Sequence, residues 1–390
     1  MANQLAGKDG PILVLNSGSS SLKFGVYRCA STGTSATGGT TDEHPLLTGS
    51  ADGIGRDDGS LQIRSADGKT LLQRDSIHQT QNEALSALAA AIRQHADEMP
   101  AAVGHRVVHG GPKLSRHQLI TPAVLDELRA ATHFAPLHIP QALSLIAAAQ
   151  SIFPSAAQFA CFDDAFHLTM PELASHLPLP QRYFDAGIRR YGFHGISYES
   201  LVHHFGAKLP ERAIFAHLGN GSSLCALRNG RSIDTTMGLT PTGGIPMGTR
   251  SGDLDPGVVL YLLRNEKFDA AGLEDLLNHQ SGLFALSSGE SDVKSLEERA
   301  RNGDIHASLA LDIFAVSVRK AIGAYMALLG GIDLLVFTGG IGEHSNRIRS
   351  AATTGLEPLG LTADKIQIVP TEEEQQMARL CRGLMNRARE

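Results

Sequence analysis

Apolar residues along the chain follow two patterns, short continuous runs and longer stretches with a helical period. The short runs predict buried strands at residues 12–15, 22–27, 61–64, 70–73, 101–108, 159–162, 212–218, 224–228, 332–337 and 366–369. The longer stretches predict helices at residues 83–99, 122–133, 140–152, 257–266, 272–279, 292–301, 305–329 and from about 371. Residues 30–60 are rich in Ser, Thr and Gly, which predicts a mobile loop. Strands that alternate with helices indicate an α/β fold.

Two parts of the chain repeat one arrangement. Residues 12–27 and 212–228 each contain an apolar strand, a turn ending in Gly-Ser-Ser, and a second strand that begins with leucine. We interpret this as an internal duplication and expect two α/β domains that face each other across a cleft. The predicted domains are residues 1–165 and 166–374, with a terminal helix at about 375–390 packing back on the first domain.

Composition limits the possible functions. A chain of 390 residues with 42% hydrophobic residues is long enough for two cores, and a net charge of −6 argues against nucleic-acid binding. The four cysteines are far apart, which is typical of reduced thiols in a cytoplasmic protein. We find neither the apolar core of a signal peptide nor a membrane span, so we expect a cytoplasmic protein with no membrane partner.

Residues 234–257 form a long stretch without helical or strand period, with six glycines and one cation, Arg250. Such a loop can wrap an anion, because glycines let the backbone approach and a guanidinium offers a planar fork of donors. The alternative is a structured surface loop in which Arg250 pairs with Asp253 or Asp255.

Polar residues in the first turn and after two strands are further candidates for an anion site. The run Asn16, Ser19, Ser20, Ser21 and Lys23 could form an anion nest, although an ordinary hairpin is the alternative. This run is not a Walker A motif, which would need a different glycine spacing and a following helix.

Arg106 and Val108 fall on one face of a predicted strand, and a cation beside a small apolar group suits a short carboxylic acid. A surface arginine on an edge strand is the alternative. Asp163 follows a strand, where α/β folds place ligand-binding groups. His194 and His217 border glycine-rich loops, and residues 338–343 link a strand to a helix in a way that suits a nucleotide phosphate.

Eight motifs, in chain order, carry a family resemblance. They are Asn16-Ser-Gly-Ser-Ser-Ser-Leu-Lys23, Gly104-His-Arg-Val-Val-His-Gly-Gly111, Ala135-Pro-Leu-His138, Phe162-Asp163 with Ala165-Phe-His167, Tyr191-Gly-Phe-His-Gly195, His217-Leu-Gly-Asn-Gly-Ser-Ser223, Met247-Gly-Thr-Arg-Ser-Gly252 and Phe337-Thr-Gly-Gly-Ile-Gly-Glu343. From about residue 12 to 375 the chain resembles the acetate kinase family. The resemblance implies the duplicated, ribonuclease H-like fold of actin, Hsp70 and the sugar kinases. It also implies a homodimer that transfers phosphate between ATP and acetate with Mg²⁺ or Mn²⁺.

The resemblance also implies roles for individual residues. Asp163, His194 and Arg250 would be catalytic, and Asn16 and Glu373 would lie around the metal. The acetate would be bound by Arg106, Val108, Leu137, Phe193 and Pro241. The nucleotide would be bound by Lys23, His217, Leu218, Gly219, Asn220, Gly221, Asp292, Val293, Lys294, Gly340, Ile341, Gly342, Glu343 and His344.

Three alternatives remain at this point. One is a propionate or butyrate kinase of the same family, since one methylene changes discrimination by only about 1–3 kcal/mol. The second is a nucleotide-driven binding protein of the actin or Hsp70 kind, which the fold by itself does not exclude. The third, a sugar kinase, fits poorly with an arginine beside a valine. Lys294 and His344 also depart from the arginine and asparagine usual in the family, which bears on the preferred phosphoryl donor.

Overall fold

A computed structural model describes residues 10–18, 20–29 and 43–388 of the chain. The predicted loop at residues 30–60 lies outside the described residues as far as residue 42, as do Ser19 and the first nine residues. None of the helices in the described part of the chain combines the length and the apolar character that crossing a membrane requires. All four cysteines are among the described residues, and none of them forms a disulfide.

The strands and helices follow in chain order. The strands are β1 (Ile12–Ser17), β2 (Ser21–Cys29), β3 (Glu43–Asp52), β4 (Ser60–Ser65), β5 (Thr70–Asp75), β6 (Ala102–Val107), β7 (Gln118–Leu119), β8 (Ala157–Phe162), β9 (Arg212–Leu218), β10 (Ser222–Arg228), β11 (Arg231–Thr235), β12 (Leu334–Thr338) and β13 (Ile366–Ile368). The helices are α1 (Gln81–His95), α2 (Pro122–Ala130), α3 (Ile139–Ile152), α4 (Glu172–Ser175), α5 (Gln181–Asp185), α6 (Gly195–Phe205), α7 (Pro256–Asn265), α8 (Ala270–His279), α9 (Gly282–Leu286), α10 (Val293–Arg301), α11 (Ile305–Leu329), α12 (Gly339–His344), α13 (Asn346–Thr353) and α14 (Glu373–Arg387).

The described residues divide into two compact units. The first unit comprises the chain up to Ala165 and from Glu372 onwards, and the second comprises Phe166–Thr371. Helix α14 therefore belongs to the first unit, although it follows the whole of the second unit in sequence.

The first unit is built on an eight-stranded sheet in the order β5-β4-β3-β2-β1-β6-β8-β7. Strands β1 to β5 pair antiparallel, whereas β6 runs parallel to β1 and β8 runs parallel to β6. One face is covered by α1 and α3, whose apolar residues join Leu13, Leu15 and Val103 in a buried core. Helix α14 packs against β1, β6 and β8. At its closest approach a Cβ on Gly104 would lie 2.6 Å from Cys381 Sγ, so this position needs a glycine.

The second unit is built on a five-stranded sheet in the order β11-β10-β9-β12-β13. Strands β9 to β11 pair antiparallel, and β12 and β13 continue in parallel. The long helix α11 contributes more residues to the buried core of this unit than any other helix or strand. Asp304 caps its first turn by accepting from His306 N and Ala307 N, and Gly330 ends it at φ 73°, a conformation that glycine adopts at little cost.

The two sheets share one topology. In each, three antiparallel strands in sequence order are followed by two parallel strands beside the first of the three: β3-β2-β1-β6-β8 in one unit and β11-β10-β9-β12-β13 in the other. The predicted α/β class and the internal duplication are confirmed. Gly18 and Ser20 lie between β1 and β2, and Gly221 lies between β9 and β10, whose first two residues are Ser222 and Ser223.

Several details differ from the sequence predictions, three of them at or near the predicted site residues or the predicted loop. Residues 43–60 are not a loop throughout, because Glu43–Asp52 forms β3 between β2 and β4. The predicted strand at 101–108 ends at Val107, so Val108 lies just beyond it. Helix α6 was not predicted, although it directly follows His194.

Candidate active site

The first unit gathers polar side chains at one edge of its sheet. Asn16 is near the end of β1, Arg106 is near the end of β6, and Asp163 directly follows β8. These three strands run parallel to one another, so their carboxyl ends meet at the same edge, where α/β folds place binding groups. Glu373, the first residue of α14, reaches the same cluster.

Arg106 and Asp163 form a buried ion pair. Arg106 Nη2 lies 2.7 Å from Asp163 Oδ2, and their side chains are 16% and 0% exposed. Arg106 Nη1 also donates to Asn16 Oδ1 at 3.3 Å. Burial lowers the pKa of the guanidinium, but the charges of Asp163 and Glu373 outweigh burial and raise it above its usual value. Arg106 Nε is buried with no hydrogen-bond partner, so the guanidinium retains a donor for an anionic ligand.

Two adjacent carboxylates share the amide of Asn16. Asn16 Nδ2 donates to Glu373 Oε2 and to Glu374 Oε1, each at 2.8 Å. Burial raises the pKa of the Glu374 carboxyl, and the neighbouring charge of Glu373 raises it further, while the charge of Lys23 acts in the opposite direction. A divalent cation would relieve this repulsion, and Mg²⁺ commonly takes only one or two carboxylates, with water and phosphate completing its shell. The donor set fits such an ion, although no group of three or more His, Cys, Asp or Glu side chains that could hold a metal occurs among the described residues.

The second unit holds His194 in a strained conformation. His194 immediately precedes α6 and adopts φ 58° and ψ 24°, the left-handed region that non-glycine residues seldom occupy. Its Nδ1 lies 2.9 Å from Ser223 Oγ. Its ring stacks on that of His217, with centroids 4.2 Å apart and an angle of 23° between the planes. Such strain is usually found at functional sites, where the surrounding contacts maintain it.

Gly221 borders the space that His194 and Arg250 share. A Cβ at position 221 would lie 3.3 Å from His194 Nε2 and 3.4 Å from Arg250 Nη1. Arg250 Nη1 also donates to the carbonyl oxygen of Pro241 at 3.1 Å. A glycine at this position therefore leaves open a small volume bordered by an imidazole nitrogen and a guanidinium.

The loop that carries Arg250 contains no helix or strand between β11 and α7, as the sequence indicates. It is nevertheless held by several hydrogen bonds. Gly248 N donates to Asn220 O, Met247 N donates to Arg250 O, and Asp253 Oδ1 accepts from Gly244 N. Asp255 caps α7 by accepting from Gly257 N. The two aspartates considered as partners for Arg250 thus have bonds of their own to the loop backbone.

Comparison with known proteins identifies the family. The model of the acetokinase family matches residues 11–379. An acetate kinase of Methylocella silvestris is 37% identical, covering 96% of this chain and 98% of the relative. A propionate kinase of Yersinia enterocolitica is 38% identical, covering 95% of each. The crystal structure of Porphyromonas gingivalis acetate kinase superposes with a TM-score of 0.81 at 33% identity, covering 96% of this chain and all of that one.

The chain belongs to the acetokinase family. Its fold is the duplicated fold that the resemblance implies, that of actin, Hsp70 and the sugar kinases.

The segments predicted to bind a nucleotide lie in the second unit, except for Lys23, which is an exposed residue of β2 in the first unit. His217 Nδ1 lies 2.8 Å from Ser197 Oγ, and Leu218 is fully buried. Gly219 N donates to Gly221 O, and Asn220 is exposed beside them. Asp292 caps α10 by accepting from Ser295 N.

Buried and exposed positions alternate in the remaining nucleotide segments. Val293 and Gly342 are buried, and Ile341 packs on the core. Glu343 Oε1 accepts from Gly339 N at 3.0 Å and from Thr371 N at 3.2 Å, so this carboxylate stabilises the loop itself. The exposed residues of these segments are Asp292, Lys294, Gly340 and His344.

The predicted acetate residues are distributed over both units. Val108 is half-buried and Leu137 is 37% exposed in the first unit. Phe193 and Pro241 are buried in the second unit, where Phe193 precedes the strained His194.

Sequence reasoning missed Glu374, Ser223 and Tyr198. The adjacent pair Glu373-Glu374 at a predicted helix start was a usable signal for Glu374. No sequence signal links Tyr198 to Ser223.

Proposed function

We propose that this acetokinase-family member is an acetate kinase, which reversibly transfers the γ-phosphate of ATP to acetate to give acetyl phosphate and ADP. The observation that carries the proposal is the space beside Gly221, which His194 Nε2 and Arg250 Nη1 both border. Phosphoryl transfer depends mainly on positioning and on neutralising charge that spreads over the phosphoryl oxygens. A guanidinium and an imidazole donor at one place supply both.

Residues of the first unit would bind the acceptor. Acetate has a carboxylic pKa of roughly 4 to 5 and is already ionised near neutral pH, so its oxygen can attack phosphorus without a general base. Arg106 has a buried Nε without a partner and would bind the carboxylate. Asp163, at 2.7 Å from Arg106 Nη2, would orient this arginine rather than move a proton.

The metal would be held by the carboxylates beside Asn16. Glu373, together with Glu374, would hold Mg²⁺ or Mn²⁺, and Asn16 would fix the two carboxylates through its amide. When bound, the ion would offset charge on the nucleotide phosphates. Lys23, His217 and the glycine-rich segments 219–221 and 340–342 would line the nucleotide.

The test is a hydroxamate assay for acyl phosphate, with ATP, Mg²⁺ and a panel of short carboxylic acids. Wild type should form hydroxamate with acetate, and Arg250→Ala should lower kcat about a thousand-fold or more, because this cation would act on the transferring group. Arg231→Ala, which removes an exposed arginine of the same unit, is the matched control and should keep wild-type turnover. Absence of hydroxamate with every acid would refute the proposal, and full activity of Arg250→Ala would refute its assigned role.

A propionate or butyrate kinase is the second candidate, because the acetate and propionate kinase relatives are almost equally similar to this chain. The ratio of kcat/KM for acetate and propionate decides between them. One methylene in a fitted pocket is worth about 1–3 kcal/mol, so a ratio of about tenfold or more in favour of acetate is expected.

We also propose a cytoplasmic homodimer that associates through the second unit. Helix α7 has no buried residue and exposes Val258, Leu260 and Tyr261, which are 43%, 45% and 57% accessible. Contiguous exposed apolar side chains are typical of protein interfaces. Tyr261→Asp should therefore convert the dimer to a monomer in sedimentation analysis, and a wild-type monomer would contradict the proposal.

A further inference from the structure

Three buried side chains of the second unit form a hydrogen-bonded chain that ends at His194. Tyr198 OH lies 2.5 Å from Ser223 Oγ, and Ser223 Oγ lies 2.9 Å from His194 Nδ1. Tyr198 and Ser223 are fully buried, and His194 is 8% exposed. Tyr198 is on α6, one turn after His194, and Ser223 is on the adjoining strand β10, so regular structure fixes the spacing.

The direction of the hydrogen bonds follows from the acidity of the donors. A phenol, with a pKa of about 10, is a far better donor than an aliphatic hydroxyl, so Tyr198 donates to Ser223 Oγ. Ser223 has one proton of its own, which is then directed to His194 Nδ1. A nitrogen that accepts a hydrogen bond carries no proton in the neutral ring, so the proton of His194 is at Nε2.

Charged and titratable groups surround His194 on several elements. Arg250 borders the same space as His194 Nε2, and His217 stacks on the ring. His167 donates from Nε2 to the carbonyl oxygen of Phe193, its Nδ1 lies 2.8 Å from Ser232 Oγ, and its ring meets that of Tyr198 edge to face. A guanidinium beside Nε2 would by itself favour a lone pair on Nε2, which places the proton on Nδ1. The hydroxyl chain counteracts that preference.

We propose that Tyr198 and Ser223 are positioning residues that hold His194 as its neutral Nε2–H tautomer, with that proton directed towards the space beside Gly221. This proposal rests on the proposed phosphotransferase function. It gives His194 a fixed donor for a phosphoryl oxygen at any pH where the enzyme is folded, because Nε2 carries a proton in both the neutral and the protonated ring.

The test measures kcat and KM of Ser223→Ala relative to wild type from about pH 5.5 to 8.5, a range that spans the usual histidine pKa. Without Ser223, Arg250 favours the Nδ1–H tautomer, so kcat should fall about 10–100-fold at the alkaline end with little change in KM. In the protonated ring both nitrogens carry a proton, so the loss should become smaller towards the acid end of the range. Ser223→Thr retains the hydroxyl, so its kcat relative to wild type should not change with pH. Tyr198→Phe should give an intermediate loss of kcat, because the Ser223 hydroxyl can then either donate to His194 Nδ1 or accept from it.

Ser200→Ala is the matched control, because Ser200 is a buried serine of α6 whose hydroxyl donates to Ser197 O in the same helix. It should keep the wild-type pH profile, and thermal unfolding of each variant checks that the fold is retained. The proposal would be overturned if the ratio of kcat for Ser223→Ala to kcat for wild type did not change with pH. It would also be overturned if Ser200→Ala showed the same change of this ratio with pH. Wild-type protein that forms no acyl phosphate would instead refute the proposed function, so the two failures are distinguishable.

Discussion

Replacing Asp163 by asparagine removes the negative charge from a buried ion pair while retaining an oxygen that can accept from Arg106. The two side chains are 16% and 0% exposed, so solvent screens the pair weakly. The expected result is a loss of kcat/KM for acetate, because an arginine without its partner is less firmly oriented towards the substrate carboxylate.

The size of the effect can be bounded. Two unit charges about 4 Å apart interact by about 4 kcal/mol at an effective dielectric constant of about 20, which corresponds to roughly a thousand-fold at 1.4 kcal/mol per tenfold. Asparagine keeps a neutral hydrogen bond to Arg106, which retains about 0.5–1.5 kcal/mol of that interaction. The remaining difference of about 2.5–3.5 kcal/mol predicts a loss of about 60–300-fold for Asp163→Asn, and up to about a thousand-fold for Asp163→Ala.

The assay is acyl phosphate formation with varied acetate and varied Mg²⁺, together with thermal unfolding of each variant. Asp126→Asn is the matched control, because Asp126 also lies 2.7 Å from an arginine, Arg129, but this pair is exposed on α2. It should leave kcat/KM unchanged, since exposed ion pairs contribute little.

The comparison of the two Asp163 variants separates orientation from proton transfer. If Asp163 moved a proton, asparagine and alanine would be equally inactive. If it orients Arg106, asparagine should remain clearly more active than alanine. Asp163→Asn with wild-type turnover and unchanged Mg²⁺ affinity would refute the reasoning altogether.

Three further predictions follow from other contacts. The pKa of Glu374 is raised in the folded state, so in metal-free buffer the free energy of unfolding should fall as the pH rises from the usual glutamate pKa to the folded-state pKa, because the unfolded chain ionises first. In thermal unfolding, Glu374→Gln should remove this part of the pH dependence of the melting temperature, and Mg²⁺ should offset it in wild type. The same pH dependence in wild type and variant would contradict the assignment. Glu43→Gln breaks the buried pair with Arg382 and should lower the free energy of unfolding by about 3–5 kcal/mol. The control is Glu98→Gln, which breaks an exposed pair with Arg28 and should lower the free energy of unfolding by about 0–1 kcal/mol. Equal losses for the two variants in urea unfolding would argue against anchoring of α14 by the pair of Glu43 and Arg382. Gly221→Ala places a Cβ 3.3 Å from His194 Nε2 and should lower kcat with little change in melting temperature, whereas wild-type kcat would show that this space is not used.

Most elements with a strong period were predictable from the sequence, and those that depend on neighbours were not. Helix α11 was predicted with its observed bounds at 305–329, because its apolar period is long and Asp304 and Gly330 cap its ends. Strand β3 was missed because its sequence contains Pro45, Gly49 and polar residues. It forms a strand because β2 and β4 offer hydrogen-bonding edges on both sides.

In the candidate site, too, contacts set by regular strands were predictable and contacts set by the packing of a distant helix were not. Asn16, Arg106 and Asp163 could be expected to meet because parallel strands end at one edge of a sheet, and the structure of the first unit places them together. The pairing of Asn16 with Glu373 and Glu374 spans more than 350 residues and depends on where α14 packs, which no local pattern specifies.

The sequence position of α14 has a consequence for biosynthesis. This helix fills one side of the first unit and brings Glu373 to Asn16, yet a ribosome makes it only after the entire second unit has emerged. The sheet of the first unit therefore stays uncovered on the side where α14 packs until translation has almost finished. Premature termination anywhere before α14 would give a product that lacks both that cover and the acidic side chains, so aborted chains would be inactive and open to proteolysis.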